Sequence, residues 1–163
     1  MTMKIAIYPG SFDPFTNGHK DILNRALKIF DKVYIAVVKN SSKKYLFSLD
    51  ERVAMIDQLF HKNDAIECIG LESKLTVDLA DELGAKGIIR GLRAVSDFEY
   101  EFQIASINRS QNSEVESVFF TPDESLTFIS SSMVKELASY NGDISAFVDE
   151  SVAVALMKKI SNS

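Results

Sequence analysis

Four short apolar runs constrain this chain more than any other feature. They are Ile5–Tyr8, Val33–Val38, Ala65–Gly70 and Gly87–Ile89, and a helical apolar pattern separates each from the next. The second run, Val-Tyr-Ile-Ala-Val-Val, is β-rich without strict alternation, as expected of a strand covered on both faces. Strands that alternate with helices form βαβ units with right-handed crossovers, so the order βαβαβαβ predicts a parallel sheet. Glu116–Phe120 supplies a fifth strand. The expected fold class is α/β, a doubly wound, parallel, five-stranded sheet with helices on both faces.

The intervening patterns carry helix signals. Asp21–Phe30 places Ile22, Leu23, Ala26, Leu27 and Phe30 on one stripe. Ser48-Leu-Asp-Glu51 reads as a capping box opening a helix with Val53, Met55, Ile56, Leu59 and Phe60. Leu75–Leu83 is a third helix, and Gly84 caps its end. Ser96-Asp-Phe-Glu99 reads as a second capping box, with a long helix reaching Gln111. Ser130, Ser131 and Ser132 lead into a helix over Met133–Tyr140, and Val148–Ile160 closes the chain as an amphipathic helix. No linker, repeat or low-complexity segment divides the sequence, and 163 residues can bury a sizeable core, so one domain over 1–163 is expected.

Composition narrows the function. A net charge of -5 argues against a general nucleic-acid or membrane surface, so any phosphate binding has to be local. No stretch approaches the roughly 20 apolar residues of a membrane span, and no signal-peptide pattern is present, so a soluble cytoplasmic protein is expected. Cys68 is the only cysteine and reads as a small buried apolar residue. GxxxxGK[ST], GxGxxG after the first strand, and zinc-ligand spacing are all missing. His19 and His61 are the only histidines, and His61 beside Lys62 and Asn63 reads as solvated, which leaves no room for a mechanism that needs two.

The chemistry gathers where strands end. Between the first strand and the first helix lies Tyr8-Pro-Gly-Ser-Phe-Asp-Pro-Phe-Thr-Asn-Gly-His19. Gly10, with no Cβ, allows close backbone approach to a ligand, and Gly18-His19 stands at a helix N-terminus that favours an anion. His19 heads the apolar stripe, so it is either a core residue or a group facing the ligand crevice; the loop chemistry favours the crevice. Lys43 and Lys44 follow the second strand, as a solvated loop or a phosphate contact. Arg90 and Arg93 flank Gly91-Leu92 after the fourth, as ion pairs or as forks for phosphate. Asp97, Glu99 and Glu101 suit the dipole of their helix, and the aromatic surface of Phe98, Tyr100 and Phe102 suits a subunit contact. Three serines offer more than one cap requires and suit a phosphate-binding helix start.

Ser11-Phe-Asp-Pro14 followed by Thr16-Asn-Gly-His19 resembles the (T/H)xGH signature of the nucleotidyltransferase superfamily. Arg90-Gly-Leu-Arg93, Asp97-Phe-Glu-Tyr-Glu101 and Ile129-Ser-Ser-Ser132 with Val134-Lys-Glu136 narrow the resemblance to the bacterial phosphopantetheine adenylyltransferase family, over nearly the whole chain. The resemblance implies a Rossmann-like fold and an enzyme that moves the adenylyl group of ATP to 4′-phosphopantetheine, giving dephospho-coenzyme A and pyrophosphate with Mg²⁺. It implies His19 as the catalytic residue. It implies ATP contacts at Ser11, Phe12, His19, Gly91, Leu92, Arg93, Glu101, Leu126, Thr127, Phe128, Ile129, Ser130, Ser131 and Ser132. It implies acceptor contacts at Ser11, Lys43, Thr76 and Arg90. No residue stands out as a metal ligand; Mg²⁺ would ride on the triphosphate. A homohexamer inhibited by coenzyme A is implied as well. Alternatives are a sister transferase with another phosphorylated acceptor, and a nucleotide-binding module without turnover.

Overall fold

The apolar runs become a parallel sheet in the computed structural model, which describes residues 2–162. The strands are β1 (Ile5–Gly10), β2 (Lys32–Lys39), β3 (Ile66–Glu72), β4 (Gly87–Gly91) and β5 (Glu116–Phe120). The helices are α1 (Asn17–Ala26), α2 (Leu49–Phe60), α3 (Thr76–Glu82), α4 (Val95–Gln111), α5 (Ser131–Ser139) and α6 (Glu150–Ser161), with a 3₁₀ turn at Glu124–Leu126. The strand order is β3-β2-β1-β4-β5, all parallel. The chain therefore winds outward one way from β1 and the other way from β4. The crevice between the carboxyl ends of β1 and β4 is the switch point at which such sheets bind ligands.

Alternation along the strands divides the core. Ala6 and Tyr8 of β1 pack with Ile22, Leu23, Ala26, Ile35, Ile56 and Ile89 under α1 and α2. Ile7 points the other way and joins Ala36, Val77, Ala80 and Ile88 under α3. A third cluster binds the C-terminal helices to the β2–α2 loop, through Phe47, Val134, Ala138, Val148, Val152 and Leu156. Among the described residues no helix is long and apolar enough to cross a membrane.

Several boundaries differ from the expected ones, each for a local reason. α1 begins at Asn17 rather than Asp21, because Thr16 caps it and its amide donates to His19. Its regular part stops at Ala26 rather than Phe30. Arg90 lies inside β4 rather than after it, opposite Phe119 of β5. Ser96 is not a cap. α4 starts at Val95, and Asp97 reaches back to the amides of Arg93 (3.1 Å) and Ala94 (3.3 Å), doing the work assigned to the Ser96–Glu99 pair. The Ser48–Glu51 box forms as read.

Leu23 is fully buried in the larger cluster. Leu23→Ala is expected to cost about 2–5 kcal/mol in denaturant unfolding, through lost transfer energy and the cavity left behind. A loss well under 1 kcal/mol, roughly the level of a surface change, would contradict that placement.

Candidate active site

Tyr8, Gly10, Phe12 and His19 line one wall of a cavity of about 330 Å³ at the switch point. Lys43, Arg90, Arg93, Glu101 and the start of α5 complete it. The aromatic wall is rigid. Phe12 is buried with φ +49°, a left-handed backbone that is costly for a bulky residue. Its ring meets Tyr8 edge-on at 5.3 Å and His19 edge-on at 5.0 Å. Gly10 makes room for that ring: a Cβ there would stand 2.7 Å from the Phe12 side chain. Packing against Phe12 is thus a requirement at Gly10 that the sequence did not show, and Gly10 also lines the cavity.

His19 is held by an unusual capping box. The Thr16 side chain accepts from the His19 amide at 3.4 Å, and the Thr16 amide donates to Nδ1 of His19 at 3.0 Å. A backbone N–H can only donate, so Nδ1 is unprotonated and the proton sits on Nε2. No described residue partners Nε2, and His19 lines the cavity. Burial, with Arg93 adding repulsion, pushes the imidazole pKa down to about 4. His19 is therefore a neutral donor at ordinary pH. Burial also raises the Tyr8 phenol above its usual range, with Arg90 and Arg93 opposing the shift.

The cations come from the end of β4 and from the loop after β2. Arg90 grips Glu101 with a bidentate fork, Nε to Oε2 at 2.6 Å and Nη2 to Oε1 at 2.7 Å. The ion-pair reading of Arg90 holds, and the paired side chain lines the cavity. Arg93 donates to the Ile129 carbonyl at 3.1 Å and lies 3.6 Å from Asp97. Lys43 enters from an exposed turn after β2. Ser130 is the N-cap of α5, accepting from Met133, while Ser131 donates to the Pro14 carbonyl at 2.7 Å. Ser132 is exposed and lines the cavity. The described residues hold no cluster of three His, Cys, Asp or Glu side chains able to bind a metal.

The cytidylyltransferase-like family model matches residues 7–137. A phosphopantetheine adenylyltransferase from Alkaliphilus metalliredigens (strain QYMF) is 51% identical over 159 residues, covering 96% of this chain and 99% of that protein. The chain belongs to the phosphopantetheine adenylyltransferase family. More distant structures share the fold. A protein of Vibrio parahaemolyticus described as a nicotinate-nucleotide adenylyltransferase superimposes with TM-score 0.72 at 16% identity, over 98% of this chain and 95% of its own. The Plasmodium falciparum nicotinic acid mononucleotide adenylyltransferase, complexed with NaAD, gives 0.69 at 17%, over 99% and 96%.

Of the residues that the adenylyltransferase motifs single out, the cavity gathers Phe12, His19, Lys43, Arg90, Gly91, Arg93, Glu101, Leu126, Ile129 and the three serines. Ser11, Thr76, Leu92, Thr127 and Phe128 lie outside its lining. Phe128 is largely exposed, Thr76 opens α3, and Thr127 donates to the Asp123 carbonyl. Tyr8, Thr16, Ile22 and Pro122 line the cavity without having been assigned a contact. Tyr8 was readable as the last residue of the first apolar run, pointing at the crevice.

The tautomer and the pKa are both checkable by ¹⁵N NMR of the histidine side chains. His19 is expected to keep its proton on Nε2 and to titrate near pH 4 rather than near the ordinary 6.5. Between those values the unfolded chain binds a proton at this position that the folded chain refuses, so stability falls as pH drops through that window. A His19 midpoint near 6.5 would contradict the burial argument.

Proposed function

We propose that this chain, as a single nucleotidyltransferase domain, transfers the adenylyl group of ATP to 4′-phosphopantetheine, yielding dephospho-coenzyme A and pyrophosphate. The observation that carries the proposal is a neutral imidazole with an unpartnered Nε2–H, on a residue that lines a cavity shared with Lys43, Arg90 and Arg93. The 51% identity to a phosphopantetheine adenylyltransferase favours this acceptor over nicotinate mononucleotide, because the likeness to the nicotinate enzymes extends to fold alone.

The acceptor is a phosphate monoester whose second ionisation lies near a pKa of about 6, so it arrives as a competent oxyanion and needs no general base. One of its oxygens forms a bond to the α-phosphorus in line, and the bond from that phosphorus to the oxygen bridging to the β-phosphate breaks. Pyrophosphate leaves with the electron pair. Charge on the transferring phosphoryl group peaks in the transition state, where a fixed donor is most effective. His19 supplies that donor through Nε2. Lys43 and Arg90 hold the acceptor phosphate, and Ser11 and Phe12 contact both substrates. Gly91, Leu92, Arg93 and Glu101 cradle ATP together with Leu126, Thr127, Phe128, Ile129 and Ser130 to Ser132. Thr76 meets the pantetheine arm.

Glu101 is the cavity's carboxylate, and it is engaged by Arg90, so the side chains present do not fit a protein-held Mg²⁺ site. Magnesium would enter on the triphosphate, keep several waters and neutralise charge on the phosphates. The same reading includes a cytoplasmic homohexamer inhibited by coenzyme A. Exposed Val95, Phe98, Tyr100 and Phe102 on α4 support a subunit contact.

Pyrophosphate release from Mg·ATP tests the reaction. It is expected to depend on 4′-phosphopantetheine, with dephospho-coenzyme A formed in equal amount; release that ignores the acceptor, or none at all, would sink the proposal. His19→Ala is expected to lower kcat by roughly 10²–10³ with nucleotide affinity little changed.

A further inference from the structure

Arg52 is a buried cation that the reaction does not touch. It lies on α2, 1% exposed, and no carboxylate among the described residues pairs with it. Such a charge is costly to bury unless its N–H groups are all directed at acceptors. Its acceptors here are backbone carbonyls. Nη1 donates to Ser11 at 2.6 Å and to Val38 at 2.9 Å, and Nε donates to Ser48 at 3.3 Å. Ser11 follows β1, Val38 is the penultimate residue of β2, and Ser48 caps α2. One guanidinium thus ties together the exits of two neighbouring strands and the start of the next helix.

The same group reaches towards Lys43. The guanidinium carbon stands 4.0 Å over the Tyr45 ring. The Tyr45 hydroxyl accepts from the Asn40 amide at 2.9 Å, and the Asn40 carbonyl accepts from the Lys43 amide at 3.1 Å. Residues 39–44 are all exposed, so no apolar burial holds this turn. Its far end is fixed by Asp13, which accepts from the amides of Leu46 (2.9 Å) and Phe47 (3.0 Å) and from Lys135 of α5 (2.8 Å).

We propose that Arg52 is a positioning residue for acceptor binding: it holds the turn that carries Lys43 in register with the motif loop that carries Ser11 and Phe12. This rests on the assignment of Lys43 to the acceptor phosphate. A lysine at position 52 keeps the charge but offers no planar fork to join two strand exits and stack on Tyr45.

The test is a kinetic cycle of Lys43→Ala, Arg52→Lys and the double variant, with melting curves for each. The motif loop keeps its Phe12 packing and the Ser131–Pro14 bond without Arg52, whereas the exposed turn of Lys43 has no such packing. Arg52→Lys is therefore expected to raise the acceptor KM roughly tenfold, with the ATP KM and kcat within about twofold, the pattern of lost uniform binding. In the double variant the Arg52 effect is expected to vanish, because the two residues act as one unit. Parallel rises in both KM values would mean general loosening and overturn the proposal. So would an Arg52 effect that persists in full without Lys43, or an acceptor KM that Arg52→Lys leaves unchanged while Lys43→Ala raises it. If Lys43→Ala itself leaves the acceptor KM unchanged, the assignment of Lys43 fails, and the proposal with it.

Discussion

A backbone amide cannot accept a hydrogen bond, and the Thr16 amide points at Nδ1 of His19. From that one constraint follow the tautomer, the free Nε2–H and, with burial, the neutral charge state. A protonated imidazole would bind anionic ground states as well as the transition state. A neutral donor fixed by the first turn of α1 adds little to ground-state binding and most where charge develops. The sheet supplies the setting: β1 and β4 diverge at the switch point, so the donor on α1 and the arginines of β4 and its exit face one crevice.

Around this centre the fold uses charges as joints. Asp13 connects the motif loop to the amides entering α2 and to Lys135 on α5. Arg93 connects the exit of β4 to the segment before α5 through the Ile129 carbonyl. Arg90 is braced by Glu101 from α4. The Asp13 and Arg93 joints link segments distant in sequence, while Arg90–Glu101 ties β4 to the helix that follows it. Such charge-assisted bonds are shorter and more directional than apolar contacts, which suits loops that have little surface to bury.

How much of this was legible beforehand depended on how many neighbours each residue answers to. The buried strands declared themselves, since Val33–Val38 is covered on both faces and shows it in composition. Topology brought Lys43, Lys44, Arg90 and Arg93 forward, because parallel strands deliver their carboxyl ends to one side, but it could not choose between Lys43 and Lys44; the motif resemblance chose Lys43, which lines the cavity. The start of α1 was misplaced because His19 fills the capping-box position usually held by Glu or Gln. The Ser96 box had correct spacing, yet Asp97 made the reach-back bonds instead. Arg52 went unread because a charge on a helix reads as solvent-facing. The available signal was its spacing, four residues before buried Ile56 on the same face.

The central claim is that His19 donates a hydrogen bond in a single displacement and never bonds to phosphorus. The configuration at the α-phosphorus tests it most directly. ATP carrying sulfur in place of one non-bridging α-oxygen, as a single diastereomer, is turned over with 4′-phosphopantetheine and the product's configuration assigned. One in-line attack by the acceptor inverts the centre, which is the predicted result. Retention would require two displacements through an adenylylated protein group and would contradict the account.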